Sequence, residues 1–293
     1  MDGIIVVNKE KDFTSRDMVN KVGKILGTKK IGHTGTLDPL ATGVLVMCVG
    51  KCTSLVDIIT SDYKEYIAGV RLGVSTDTLD ITGEVIDKCN VSFSKEQVLS
   101  TLNSIVGEYY QEVPKYSAVK INGKKLYEYA REGIDIELPK RLVNIKSIEL
   151  VSDIDCHDGV VDFSIKCLVS KGTYIRSLIR DIASKLGCYG IMTSLVRTRQ
   201  GDFSIEDSYS INDIESGNYK LIDLGTFFKD MYKVNVDDDL RKYVLNGAIL
   251  DNKYGVDEVL FVDSDKVLAL YHVYDKDNSK IKPYKMFGGI KWF

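Results

Sequence analysis

The sequence predicts an α+β fold, a sheet with helices on one face followed by a small β-rich domain. Three patterns carry this expectation. Val161, Phe163, Ile165, Cys167 and Val169 alternate with Asp162, Ser164, Lys166, Leu168 and Ser170, the period of a half-buried strand. Stretches 15–26 and 175–186 instead return apolar side chains every three or four residues, as a helix with one buried stripe does. Towards the C-terminus two short apolar runs, 256–262 and 267–272, flank the turn sequence DSDK and read as paired strands.

The elements follow in order. GIIVVNK is an apolar strand, and the helix after it carries Met18, Val19, Val22, Ile25 and Leu26 on one side, with Thr14 and Asp17 in capping spacing and Gly27 as its stop. IGHTGTLDPLATG holds glycines at 32, 35 and 43 and one proline among short side chains, so it reads as an ordered loop before the strand VLVMCVG. A strand from Tyr66 to Leu72 follows, then a helix from Ser94 to Val106 with Ser94 and Gln97 in capping-box spacing and Leu99, Leu102 and Val106 in its stripe. Residues 111–139 are rich in lysine and tyrosine and lack a period until YEYAREG, which marks an insertion or surface arm. Strand pattern resumes at Leu142, and a helix carries Ile175, Leu178, Ile179, Ile182 and Leu186 before Gly187. These patterns divide the chain into a larger domain over 1–232, with an insertion near 111–140, and a smaller one over 233–293.

Composition narrows the function. No run approaches the roughly 18 apolar residues that a spanning helix needs, so no membrane association and a cytoplasmic location are expected. The six cysteines stand singly without the second pair or histidines of a metal site, and read as reduced structural thiols. With 39 basic and 42 acidic residues the net charge of −3 offers no bulk attraction to a polyanion, so any nucleic-acid contact has to be local. Basic sequence is concentrated in 21–33, 115–131 and 171–199.

GHTGTLDPLATG is the most informative stretch. Asp38 before Pro39 has the order of a cap and a first helical position, so DPLATG reads as a short helical turn with Asp38 as a structural cap. Its glycine-rich setting also suits a carboxylate held ionised by backbone N–H groups, as a nucleophile or base requires, with His33 and Thr34 beside it. A phosphate-loop reading fails because Gly43 is followed by Val44 and Leu45 instead of lysine and a hydroxyl residue. Arg176, at a strand-to-helix junction in SKGTYIRSLIRD, reads either as a surface arginine or as the partner of a carboxylate or phosphate. Tyr66 reads as a core or edge aromatic, or as a ring on which an unstacked base lies.

GHTGTLDPLATGVL, YKEYIAGVRLGVSTDTLD, YSAVKINGKKLYEYAREG and SKGTYIRSLIRDIASKLG resemble, in content, order and spacing, the bacterial tRNA pseudouridine-55 synthase family. The resemblance is strongest from Gly3 to Arg199 and continues weakly to VYDKDNSKIKPYKMF. It implies the pseudouridine synthase fold, a mixed and mainly antiparallel sheet flanked by helices, with a PUA-like RNA-binding domain at the C-terminus. It further implies that Asp38 is the catalytic aspartate, Tyr66 the ring against the target base and Arg176 the arginine paired with the aspartate. By the same resemblance Tyr174 lines the pocket, Leu195 closes it, His33 helps displace the target nucleotide and Lys9 is the early lysine of the pattern. Two departures stand out: Glu10 replaces the usual proline after that lysine, and Thr198 interrupts the usual paired arginines.

The reaction so implied breaks the bond from C1′ to N1 of a flipped-out uridine, turns the uracil and joins C1′ to C5. It is redox-neutral and loses no group, so no cofactor or metal is expected. The expected partner is the T arm of tRNA, and a monomer without an obligate protein partner is expected. The rivals are a tRNA-binding or folding chaperone without catalysis, which would use the same basic segments, and an enzyme of free nucleosides, which would need none of them.

Overall fold

A computed structural model describes residues 1–60 and 63–288. The first half of the chain runs β1 (Gly3–Lys9), α1 (Ser15–Ile25), β2 (Ile31–His33), β3 (Thr42–Val49), α2 (Val56–Thr60), β4 (Lys64–Leu72), β5 (Val74–Thr76), β6 (Val85–Lys88), α3 (Lys95–Asn103) and β7 (Gly107–Glu112). An arm with β8 (Lys120–Ile121), β9 (Lys124–Lys125) and α4 (Leu126–Arg131) precedes β10 (Lys140–Leu150), β11 (Asp155–His157), β12 (Val160–Val169), α5 (Ile175–Lys185), β13 (Gly190–Gln200) and β14 (Phe203–Ser204). Helices α6 (Ile211–Glu215) and α7 (Leu224–Phe227) lead to β15 (Lys233–Asn235), α8 (Asp238–Leu245), β16 (Leu250–Asp251), β17 (Glu258–Asp263), β18 (Lys266–Tyr274) and β19 (Asp277–Met286).

Local chemistry sets the helix boundaries. Thr14 and Asp17 form the reciprocal box at the start of α1, the Asp17 N–H donating to Thr14 Oγ1 and the Thr14 N–H to Asp17 Oδ2. Ser94 and Gln97 do the same for α3. That helix ends at Asn103, three residues before the expected Val106, with Gly107 taking a φ of 109° just beyond. Its buried stripe is Val98, Leu102 and Ile105, whereas Leu99 and Val106, expected to be buried, are exposed. The arm has structure that its weak period did not disclose: Asn122 and Gly123, both at positive φ, close the two-residue turn between β8 and β9. Gln111 and Glu112 belong to β7 in the main sheet, and the arm joins β7 to its antiparallel neighbour β10.

The main sheet runs β1-β3-β13-β4-β12-β10-β7, and every pairing along that path is antiparallel except β13 with β3. It is therefore mixed and mainly antiparallel, as expected. Register places Lys9, Gly43, Arg197, Tyr66 and Cys167 side by side on five successive strands, hence on one face. On this face α1 and α6 cover β1 and β3, and α3 and α5 cover β4, β12 and β10. Among the described residues, Ile67 and the Arg71–Asp162 and Lys166–Glu65 ion pairs belong to the opposite, polar face. At the β1–β3 end that opposite face is apolar, and the C-terminal sheet packs on it.

The C-terminal sheet has five strands in the order β15-β17-β18-β19-β16. More of it is β than the two strands expected, because β15, β16 and β19 are too short or too polar to register as strands alone. Leu260, Val262, Val267, Leu270 and Phe287 join Ile4, Val6, Val44, Val46 and Cys48 in one buried cluster with Leu55 and Ile59. Residues 289–293 of the expected smaller domain lie outside the described residues.

Gly43 is required where strands β3 and β13 meet. Its φ is 94° and a Cβ there would lie 2.3 Å from the Arg197 carbonyl oxygen. Gly187 also has positive φ, at 73°, but nothing lies within 4 Å of its missing Cβ. Gly187→Ala should therefore cost about 1 kcal/mol through conformation alone, whereas Gly43→Ala should add an overpacking cost of roughly 1–3 kcal/mol. Urea unfolding of both variants checks this; equal losses would refute the close-approach argument.

Candidate active site

The loop between β2 and β3 leaves the sheet, yet its backbone groups find partners. The Thr34 N–H donates to Val46 O, and the Gln200 amide donates to the Thr34 side chain and carbonyl. Ser15 Oγ, at the start of α1, accepts from the Leu37 N–H at 2.8 Å and donates to the Leu37 carbonyl at 3.3 Å. Arg197 Nη2 donates to Gly35 O at 3.1 Å, and its Nε to Val44 O at 2.6 Å. Pro39 O accepts from the Asp12 N–H and from Lys9 Nζ. With its backbone satisfied from four directions the loop has a defined shape without regular secondary structure.

Asp38 sits at the apex. The expected short turn is closed by the Ala41 N–H on the Asp38 carbonyl at 3.0 Å, but the side chain of Asp38 does not make the expected cap and faces elsewhere. Gly35 allows close passage of the Arg197 guanidinium, 3.3 Å from where a Cβ would be, whereas at Gly32 a Cβ would make only ordinary contact. Among the described contacts the Asp38 carboxylate meets no backbone N–H; its partner is Arg176, with Nε 2.9 Å from Oδ2. The arginine side chain is 6% exposed and the aspartate 37%, so the carboxylate is the accessible member of the pair.

Arg176 lies in the first turn of α5, and its remaining donors are also engaged. Nη1 donates to Thr78 O at 2.9 Å and Nη2 to Tyr116 O at 3.0 Å. One planar fork thus ties the Asp38 loop, the β5–β6 connection and the root of the arm. Asp80, to which no role attached in the sequence, stands behind it with Oδ2 4.0 Å from Arg176 Nε. The other oxygen of Asp80 accepts from Thr78 Oγ1, Thr82 Oγ1 and the Thr82 N–H. The alternation of threonine and aspartate in STDTLDIT is the local signal for such a side-chain-braced turn.

The other expected site residues divide. Tyr66 and Leu195, each 6% exposed, belong with Leu37 and Ala41 to the apolar cluster beside Asp38. Burial raises the Tyr66 hydroxyl above the ordinary tyrosine range, against the opposing pull of the Arg197 cation. Tyr66 is thus a buried ring of the sheet face, not the half-exposed edge aromatic that its strand position allowed. Tyr174 is the N-cap residue of α5 and half-buried, its hydroxyl likewise raised by burial. His33, at the end of β2, feels Arg16 and Arg197. Burial first, and then those cations, lower its pKa, which keeps the ring neutral at physiological pH. Its Nδ1 is buried without a hydrogen-bond partner.

Lys9 and Arg197 are wholly buried cations. Lys9 Nζ donates to Glu10 O at 2.8 Å, Phe13 O at 2.6 Å and Pro39 O at 3.2 Å. Since Glu10 contributes its carbonyl, which a proline would equally carry, this departure from the family pattern leaves the lysine's contacts intact. Thr198 donates to Glu65 Oε1 at 2.7 Å, a contact with the carboxylate that also pairs with Lys166. Among the described residues no cluster of metal-ligating side chains accompanies the site.

Desolvation lowers the Lys9 pKa to about 8, against the pull of Asp12 and Asp38. Between that value and 10.5 the unfolded chain holds a proton that the folded chain has released, so this group makes folding more favourable as pH rises. The unfolding free energy of the wild type minus that of Lys9→Met should increase by roughly 3 kcal/mol from pH 8 to 10.5. Urea titrations of both proteins at several pH values measure it; a flat difference would show that Lys9 is not desolvated as described.

The sequence model described as TruB family pseudouridylate synthase (N terminal domain) matches residues 23–175, and that of the tRNA pseudouridylate synthase B C-terminal domain matches residues 176–245. The chain is 42% identical over 303 residues to tRNA pseudouridine synthase B of Staphylococcus aureus (strain MSSA476), covering 98% of this chain and 99% of the relative. It is 39% identical over 301 residues to tRNA pseudouridine synthase B of Bacillus subtilis (strain 168), covering 98% and 97%. Among solved structures, a chain of an H/ACA ribonucleoprotein bound to a substrate RNA containing 2′-deoxyuridine superposes with a TM-score of 0.69 at 22% identity, over 99% of this chain and 86% of that one. A chain from an archaeal box H/ACA complex gives 0.67 at 22% identity, over 99% and 87%. These structures share the fold, and the family models and curated relatives show that the chain belongs to the TruB family of pseudouridylate synthases.

Proposed function

We propose that this protein converts uridine 55 in the T loop of tRNA to pseudouridine, with Asp38 as the carboxylate that drives the isomerisation. The curated relatives are tRNA pseudouridine synthases, and the reaction class follows from that kinship. The observation that carries the reading is the 2.9 Å pair between Asp38 and Arg176, in which the buried arginine orients an accessible carboxylate beside an apolar wall. Such a carboxylate presents its free oxygen to a reacting carbon or proton. An extruded uracil would lie against Tyr66 and Leu195, with Tyr174 at the pocket rim. The wall excludes water while the detached base turns. Because the isomerisation is redox-neutral, the chemistry asks for no cofactor.

RNA recognition is assigned to the basic segments 21–33, 115–131 and 171–199, and to the C-terminal β-rich part as a PUA-like module over 233–293. In the arm, Lys124 lies over the ring of Tyr129, and Lys125 and Arg131 over that of Tyr127, so cations and rings alternate on one short element. The ligand is the folded T arm, engaged by a monomer acting in the cytoplasm. His33 meets the T loop and helps to displace the target nucleotide, with a ring kept neutral by burial and neighbouring cations. Lys9 supports the site from beneath through Pro39.

Asp38→Asn tests the reading, because it keeps size and the backbone turn while removing the anion. Single-turnover release of tritium from C5 of the target uridine in a T-arm hairpin should fall by several orders of magnitude in the variant, with hairpin affinity nearly unchanged. Near-normal release at equal occupancy would remove Asp38 from the mechanism. Absence of release by the wild type would leave RNA binding or chaperoning as the activity.

A further inference from the structure

The start of α5 is held by a chain of polar groups, centred on one buried amide, that the reaction itself does not use. Gln111 on β7 is 1% exposed. Its Oε1 accepts from the Tyr174 N–H at 2.8 Å, an N-terminal donor of α5 that no side chain within the helix caps. Its Nε2 donates to Tyr109 Oη at 2.8 Å, and Tyr109 Oη donates to Asp181 Oδ2 at 3.1 Å. The far oxygen of Asp181 is fixed by Nε and Nη2 of Arg180, whose Nη1 reaches Glu112. The helix is therefore held from β7 at residues 174 and 181, about two turns apart, in addition to the bonds of Ser177 and Arg180 to Glu112. Arg176 stands two residues beyond the first grip.

We infer that Gln111 is a positioning residue for the reaction: through the Tyr174 N–H and the Tyr109–Asp181 link it sets α5 so that Arg176 meets Asp38. An amide suits the place because it must accept on one side and donate on the other. The Tyr109 hydroxyl, already donating to Asp181, has only lone pairs left to offer. Without the grip α5 is still packed through Leu178, Ile179 and Ile182 and bonded to Glu112 through Ser177 and Arg180, but the turn that carries Arg176 loses the directional bond at its N-terminus. A displacement of about 1 Å at a reacting group costs up to a hundredfold in rate.

The inference rests on Asp38 being the working carboxylate, and Asp38→Asn is run alongside so that failure of that reading is seen separately. Gln111→Met keeps the volume and loses both bonds. Ser177→Ala is the control, since Ser177 Oγ donates to Glu112 O at 2.8 Å and so removes another bond between the same helix and strand. Saturating single-turnover rates, hairpin Kd values and thermal midpoints are measured for the full-length variants. Gln111→Met should lose tenfold or more in rate with Kd within twofold of wild type, and Ser177→Ala should keep its rate at a similar loss of midpoint. Tyr109→Phe, which removes the hydroxyl from Asp181 and from Gln111 Nε2 but keeps the Tyr174 N–H bond to Gln111, should fall between them, and it decides the matter should Gln111→Met not fold. A wild-type rate in Gln111→Met or, failing that variant, in Tyr109→Phe would overturn the inference. So would rate losses in all three that simply follow the midpoint. Activity retained by Asp38→Asn would instead overturn the reading beneath it.

Discussion

The burial of Lys9 and Arg197 is the constraint on which the active-site end of this molecule depends. Neither cation has a carboxylate partner among the described contacts, and charges removed from water are costly unless compensated. Compensation comes from backbone carbonyls of Glu10, Phe13, Gly35, Pro39 and Val44. These are acceptors that a loop leaving a sheet would otherwise strand. The two requirements solve each other, and the loop that bears Asp38 is thereby fixed on the sheet face.

Above that platform the geometry depends on sharing. Arg176 gives one donor to the Asp38 carboxylate and the others to the carbonyls of Thr78 and Tyr116. A lysine there could not satisfy three diverging acceptors with the same planar group. The Asp38 carboxylate, the β5–β6 connection and the arm root are consequently not independent parts. Any rearrangement of the arm at Tyr116 acts on the same guanidinium that orients Asp38.

Much of this was legible in the sequence where periodicity or short-range chemistry speaks. The alternation through Tyr66–Leu72 and Val161–Val169, the capping boxes at Thr14 and Ser94, and the motif around Asp38 are each written in one short contiguous stretch. Gln111, the burial of Lys9 and Arg197, and the placing of Asp80 behind Arg176 were less visible, since each depends on a group that the fold brings up from far along the chain. Gln111 nonetheless left a trace: strand alternation puts it between Tyr109 and Val113, a polar residue on an inward-facing row. Of the reading of DPLATG the turn is present and the side-chain cap is not, because Arg176 claims the carboxylate and the backbone closes the turn alone. The seating of the C-terminal sheet on β1 and β3 has no local signature, as both surfaces look like ordinary strand faces.

That seating bears on how the chain is made. Ile4 and Val6 leave the ribosome more than two hundred residues before Leu260, Val262, Val267 and Leu270, the groups that roof them. The N-terminal strand can pair with β3 early, but one apolar side of that pair stays wet through nearly the whole of translation. Vectorial synthesis therefore gives this protein a prolonged interval in which a sticky surface is uncovered, and its yield at high expression should depend on holdase capacity more than its final stability would suggest.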